Sequence, residues 1–226
     1  MSGPHANEPL LLGGAPLEHA SLALVLVHGR GGSAEGMMPI ARAAGAVDAA
    51  WIAPRAAGNS WYPHRFLSPF AHNEPHLSSA IDAIDRAVQA AVAAGVDPER
   101  VLLVGFSQGA CLSIEYALRH ARRYGGVAAL AGAMLGDEHD VRLADGDLCK
   151  TPVLLACGDA DEHIPVARVE AAAEHCTARG AIVDLRVYPG VGHSVVGDQL
   201  EALRAMVHVV RAGPHVIRTA PHVIPT

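Results

Sequence analysis

Two periods of apolar spacing alternate along this chain. Six short runs are rich in apolar residues and bounded by glycine, proline or aspartate: Leu22–Val27, Ala49–Pro54, Arg100–Phe106, Gly125–Gly132, Thr151–Asp159 and Ile182–Gly190. Runs of this length, ended by turn-forming residues, predict buried strands. Between them the spacing lengthens to three and four. Leu77, Ile81, Ile84, Val88 and Val92 form one stripe. Val166, Val169, Ala173 and Cys176 form a second, and Val196, Leu200, Leu203 and Val207 a third. Such stripes predict amphipathic helices. Ser79, with Asp82 three residues on, predicts a capping box at the start of the first, and Gly95 its end.

Strands that alternate with helices imply an α/β fold, a mostly parallel central sheet with helices on both faces. In such sheets ligands bind beyond the carboxyl ends of the strands. The residues just after each run therefore matter most.

Two segments break the alternation. "GNSWYPHRFLSPFAHNEP", residues 58–75, carries Trp61, Tyr62, Phe66 and Phe70 in a chain with only 4% aromatics. A loop this long inside a compact domain is functional or disordered, and its aromatics argue against disorder. From Gly213 the chain repeats "PHVI" at 214–217 and 221–224, and proline at that density defeats a helix. The organisation expected is one domain over 1–212 and an extended or mobile Pro/His-containing tail over 213–226. Nothing between Ala131 and Pro152 reads as a helical insertion, so no large lid is expected.

Composition narrows the class. Half of the 226 residues are hydrophobic, but with so few aromatics the core must be Ala, Val, Leu and Ile. The formal net charge is -6, without the basic stripe of a nucleic-acid binder. No apolar stretch reaches the length of a membrane span, and the first residues lack a signal peptide's basic and apolar regions. Cys111, Cys149, Cys157 and Cys176 have no paired metal-ligand spacing. A cytoplasmic protein with reduced thiols is expected.

The chemistry concentrates at the ends of the runs. Gly105-Phe106-Ser107-Gln108-Gly109 matches G-x-S-x-G, with a strand before it and a helix after it. In that motif a tight turn lifts a serine out of the sheet as a nucleophile. The positions two before and two after must be small. A serine needs a base, and the base needs a carboxylate to orient it. Asp159 and Asp161 follow one strand run and His193 the next, in the order this motif requires. Asp159 sits at the turn; Asp161 lies farther out, where a loop can aim it at the histidine. An oxyanion hole needs two backbone N–H groups. Gln108 supplies one, and Arg30 in "VHGRGGS" the other, with Gly29, Gly31 and Gly32 permitting close approach.

"LVHGRGGS", "GFSQGA", "GDADEHIP" and "GVGHS" together resemble the phospholipase/carboxylesterase family of α/β-hydrolases, relatives of acyl-protein thioesterases. The likeness covers roughly Leu22 to Val210. It implies the α/β-hydrolase fold, with Ser107 as nucleophile, Asp161 as acid, His193 as base, and Arg30 and Gln108 as oxyanion donors. It implies a serine carboxylesterase acting on small to medium esters without a cofactor. The enzyme alternatives are an acyl-protein thioesterase or lysophospholipase, and a dienelactone-type hydrolase, which commonly uses cysteine. From a different class, the fold can serve as a non-catalytic binding protein.

The remaining residues divide between function and packing. Trp61, Phe66 and Met37, with Met38 beside it, are candidate substrate contacts; Trp61 and Phe66 read equally as local core. The Arg30 side chain suits an anionic substrate or a solvated surface. His28 reads as packing beneath the glycine loop. Asp137-Glu138-His139-Asp140 and Asp161-Glu162-His163 lack the spacing of a metal site. The expected partner is a small-molecule ester, not a nucleic acid or a membrane, with room for a homodimer.

Overall fold

The computed structural model describes residues 3–137, 140 and 146–213. Every apolar run becomes a strand, shortened by a residue or two at its ends. The strands are β1 (Leu11–Gly14), β2 (Ala23–Val27), β3 (Ala50–Ala53), β4 (Val101–Phe106), β5 (Gly126–Leu130), β6 (Pro152–Gly158) and β7 (Ile182–Tyr188). They form one sheet in the order β1-β3-β2-β4-β5-β6-β7. All neighbours are parallel except β1, which runs antiparallel to β3 at the edge. β1 is absent from the apolar pattern because it is half exposed, with Leu12 facing solvent and two glycines at its end.

Among the described residues, five α-helices lie between strands and a sixth follows the last: α1 (Ala34–Ala43), α2 (Phe70–Asn73), α3 (His76–Ala93), α4 (Gln108–Arg119), α5 (Val166–Ala178) and, after β7, α6 (Gly197–Ala212). Alternate residues of each strand face opposite sides. Val25, Leu103, Val127 and Leu155 pack against the side bearing α3, α4 and α5. Leu24, Leu102, Val104 and Leu154 pack against α1 and α6. Each central strand is thus buried on both faces, which is why it reads as an unbroken apolar run.

One start signal fails. α3 begins at His76, not at Ser79, with Pro75 in the cap position. Ser79 is buried inside the helix, where its hydroxyl accepts from the His5 N–H at 2.8 Å. The Ser79–Asp82 pair therefore makes no capping box. Gly95 follows the helix end with φ +96°, the left-handed geometry expected there. In α6 the buried stripe runs through Gln199, Ala202, Leu203 and Val207, and Leu200 is only half-buried.

β7 closes the other edge. It is mostly exposed, including Ile182, Leu185 and Val187, and its Asp184 and Arg186 pair with each other at 2.8 Å. The described residues between Ala131 and Pro152 contain no helix. The tail expected over 213–226 lies, beyond Gly213, outside the described residues, as do Glu138 and His139. Among the described residues no helix is long and apolar enough to cross a membrane.

Candidate active site

From β2 the chain winds to one side of the sheet, and from β4 to the other. These two strands are neighbours, with Val27 opposite Gly105. Their carboxyl ends form the switch point where α/β sheets open a crevice. The site lies there, at the ends of β2, β4, β6 and β7.

Ser107 connects β4 to α4 with φ 54° and ψ -117°. A non-glycine residue in this region stores about 1–3 kcal/mol of strain and persists only where its surroundings hold it. Its N–H donates to the Leu130 carbonyl at 2.9 Å, and its carbonyl accepts from Cys111 at 3.1 Å. The flanking glycines are required by space. A Cβ at Gly105 would lie 2.2 Å from the Gly109 carbonyl oxygen, and one at Gly109 only 2.0 Å from that of Val27. The turn packs its own backbone against the neighbouring strand, leaving the serine side chain at the sheet's edge.

The three chemistry-bearing side chains meet in a line. His193 Nε2 is 2.8 Å from Ser107 Oγ, and His193 Nδ1 is 2.7 Å from Asp161 Oδ2. With Nδ1–H donating to Asp161, Nε2 is left to accept from the serine. Asp161 Oδ1 accepts from the backbone N–H groups of His163 (2.8 Å) and Ile164 (3.0 Å). Burial alone would push this carboxyl up, but the bonds from His193 and the two N–H groups outweigh it and hold it below the ordinary carboxylate value. Cys157 reaches the same carboxylate over 3.7 Å; burial pushes its thiol up to about 12, so it acts as a neutral donor.

Asp159 has a different task. Its Oδ1 accepts from Gly190 N–H at 2.6 Å, and its own N–H donates to Tyr188 at 3.1 Å. It ties the end of β6 to the loop that carries His193. Gly158 serves the same contact, since a Cβ there would meet the Val191 carbonyl oxygen at 1.9 Å.

The glycine loop after β2 approaches the elbow closely. A Cβ at Gly29 would fall 3.2 Å from the Ser107 Cβ. Gly31 and Gly32 donate to Asn59 and Gly29 carbonyls. Among the described residues, the N–H groups of Arg30 and Gln108 donate no hydrogen bond. Gln108 opens α4, and the first N–H of a helix has no acceptor within it. Both are thus free to bind developing negative charge, helped by the helix's positive end. His28 packs beneath this loop as expected. Its Nδ1 meets the Gly29 carbonyl at 2.8 Å and its Nε2 the Ala56 N–H at 3.3 Å.

The long aromatic loop forms the wall of a cavity of about 700 Å³ that contains Ser107, Gln108 and His193. Phe66 lines it, as do Tyr62, His64, Arg65, Cys111 and Ile164. Trp61 and Met37, expected as substrate contacts, do not. Trp61 is fully buried behind the wall, with its indole N–H donating to the His28 carbonyl at 2.8 Å. Met37 points into the core between α1 and the sheet, and Met38 packs on the same core. An aromatic loop signals burial without saying which ring faces the core and which the cavity. Pro63, His64, Arg65, Ser68, Cys111 and Ile164 line the cavity although the sequence patterns assign them no part in the site, and Tyr62 is marked only as one of the loop's aromatics. Cys111 is no rival nucleophile: burial raises its thiol to about 11.

Gln108 and Arg30 fasten this wall, alongside His5 at the Trp61 carbonyl and Asn73 at the His64 N–H. Gln108 Oε1 accepts from Trp61 N–H (3.0 Å) and its Nε2 donates to the Tyr62 carbonyl (2.8 Å). The Arg30 guanidinium donates to the Ser60 hydroxyl (3.3 Å) and to the carbonyls of Pro63 (3.0 Å) and His64 (2.6 Å). Its donors are engaged with the loop instead of being freely solvated. As for a metal, both oxygens of Asp161 are occupied, while Glu162 and His163 point to solvent with side chains 83% and 61% exposed.

Comparison with known proteins agrees with this architecture. Residues 15–210 match the family model described as Phospholipase/Carboxylesterase. The chain is 25% identical over 203 residues to carboxylesterase SOBER1 of Arabidopsis thaliana, covering 81% of this chain and 88% of that one. It is 32% identical over 123 residues to acyl-protein thioesterase 1 of Gibberella zeae, but this spans 53% of the chain and only 52% of the relative. A crystal structure of a phospholipase/carboxylesterase from Dyadobacter fermentans superposes with a TM-score of 0.86 at 35% identity, covering 90% of this chain and 97% of that one. The elbow, the strand order and the matched length together place the chain in the phospholipase/carboxylesterase family of α/β-hydrolases, as a hydrolase of the esterase kind.

Proposed function

We propose that this protein is a serine carboxylesterase hydrolysing small to medium carboxylic esters. The observation that carries the reading is the continuous hydrogen-bonded line Ser107–His193–Asp161 opening into the cavity. His193 Nε2 takes the proton of Ser107 as Oγ attacks the ester carbonyl. Asp161 keeps the imidazole in the tautomer that accepts this proton and stabilises its charged form. The N–H groups of Arg30 and Gln108 receive the tetrahedral oxyanion. His193 then gives its proton to the departing alkoxide, leaving an acyl group on Ser107. Water, deprotonated by His193, releases that group as a carboxylate and restores the serine. The four cysteines are free thiols, in keeping with a reducing cytoplasmic setting.

The test is hydrolysis of p-nitrophenyl esters from acetyl to dodecanoyl, with a palmitoyl thioester alongside, by wild type and Ser107→Ala. Turnover that vanishes in the variant, with an optimum at short to medium chains, supports the reading. An optimum at long acyl thioesters would replace it with acyl-protein thioesterase activity. A folded protein with no turnover on any substrate would favour a binding role.

A further inference from the structure

The cavity differs in charge from the chain around it. Acidic residues outnumber basic ones in the sequence, 23 to 17. Yet among the described residues the cavity lining contains Arg30, Arg65, His64, His163 and His193, and no aspartate or glutamate. Asp161 is turned away behind His193 with its side chain fully buried. Glu162 is the nearest other acid along this loop. It stands 3.7 Å from His163 Nε2, 83% exposed and outside the lining.

The two arginines are not equivalent. The Arg30 guanidinium is held by neutral oxygens of the 60–64 loop, so its position is fixed while its charge has no carboxylate beside it. Arg65 is exposed at the cavity, and among the described residues its side chain makes no hydrogen bond or ion pair. A guanidinium offers a planar fork of donors that matches an oxyanion on two bonds. A cleft lined by one sign of charge also concentrates ligands of the other. Of the two settings left open for the Arg30 side chain, an anionic substrate or a solvated surface, neither describes how its donors are engaged. Arg30 fastens the wall and contributes field, and Arg65 is the group with donors to give.

We propose that the preferred ester carries an anionic group, a carboxylate or a phosphate, held by Arg65 at the cavity rim while the ester carbonyl lies at Ser107. This rests on the esterase reading above. An extended six-carbon acyl chain, about 8 Å long, spans most of a cavity of this volume, whose lining holds both Ser107 and Arg65.

Three p-nitrophenyl esters of one chain length test it: the hexanoate, the hydrogen adipate and the 6-phosphooxyhexanoate. They end in a methyl, a carboxylate and a phosphate. Each is assayed for kcat/KM with wild type, Arg65→Ala and Arg65→Glu, at low and high salt. The wild type should favour at least one anionic ester over the hexanoate, and the larger preference identifies the group. Arg65→Ala should lower that anionic-to-neutral ratio by about tenfold, the effect of one unit charge several ångströms away in a half-exposed site. Arg65→Glu should lower it further, and salt should weaken the wild-type preference. A ratio unmoved in both variants, or equal losses on all three esters, overturns the proposal while leaving the esterase intact. Failure of wild type on all three, hexanoate included, overturns the esterase reading and this proposal with it.

Discussion

Gln108 does two jobs at one position, and a substitution can separate them. Its backbone N–H is the proposed oxyanion donor; its side-chain amide holds the cavity wall through Trp61 and Tyr62. Gln108→Ala keeps the first and removes the second. The Trp61 N–H then loses its partner and the Tyr62 carbonyl keeps only the Ser60 hydroxyl at 3.2 Å, in residues at most 1% exposed. A buried polar group left unpaired costs about 1–3 kcal/mol. The weakened Tyr62 carbonyl adds to this and water from the cavity beside Gln108 relieves part of it, so the net loss should be about 1–3 kcal/mol. For a domain of this size that corresponds to a Tm lower by about 3–9 °C. Thermal unfolding followed by circular dichroism measures it. Kinetics read the other job. With the N–H retained, kcat on an acetyl ester should fall less than about tenfold, well short of the 10²–10³-fold loss expected when an oxyanion donor itself is removed. KM for medium-chain esters should rise more than for acetyl, because the loosened wall contacts only the longer chain. A Tm within 1 °C of wild type (about 0.3 kcal/mol by the same scaling), or equal losses at every chain length, would refute the clamp.

Asp161→Asn should keep the fold but lower kcat by about 10⁴-fold, because an amide cannot impose the tautomer that leaves Nε2 accepting; Asp159→Asn should cost far less, and single-turnover kinetics would separate the two. Trp61→Ala should cost about 3–5 kcal/mol of stability in chemical denaturation, as a core aromatic does, and shift chain-length preference only through that loss. Burial holds the imidazoles of His5 and His28 below their ordinary value, while both keep hydrogen bonds that suit the neutral ring. The unfolded chain therefore binds more protons than the folded one below about pH 6.5, so stability should decline as pH falls through that value. Asp161, held low, adds its own loss only at lower pH, as its carboxylate protonates. Urea midpoints measured from pH 8 to 4 should show the histidine loss first; a midpoint flat from pH 7 to 5 would contradict it.

The central strands and the serine turn were legible because both obey strict local rules. Strands buried on two faces leave unbroken apolar runs, and a serine turn pressed against β2 admits only glycine at 105 and 109. The order Ser107, Asp161, His193 was legible because each follows a strand at the same edge of the sheet. The start of α3 was misread because Ser79 looks like a cap in one dimension. Its partner is His5, far along the chain, and no local pattern records a bond across 74 positions. The cavity wall was half legible for the same reason. Trp61 and Tyr62 are buried and Arg65 is exposed within five residues, because Gln108 and Arg30 hold residues 60–64 from the other side.

The outermost strand has a consequence for the life of the chain before and after folding. Among the described residues, β7 leaves one ladder of backbone groups without a neighbouring strand, flanked by Ile182, Leu185 and Val187. Apolar, β-prone segments of this length are templates for aggregation between chains. Asp184 and Arg186 interrupt the segment, and their mutual ion pair would have to be desolvated by any strand that docked alongside. They act as gatekeepers. The pair matters less for holding this molecule together than for keeping copies of it apart.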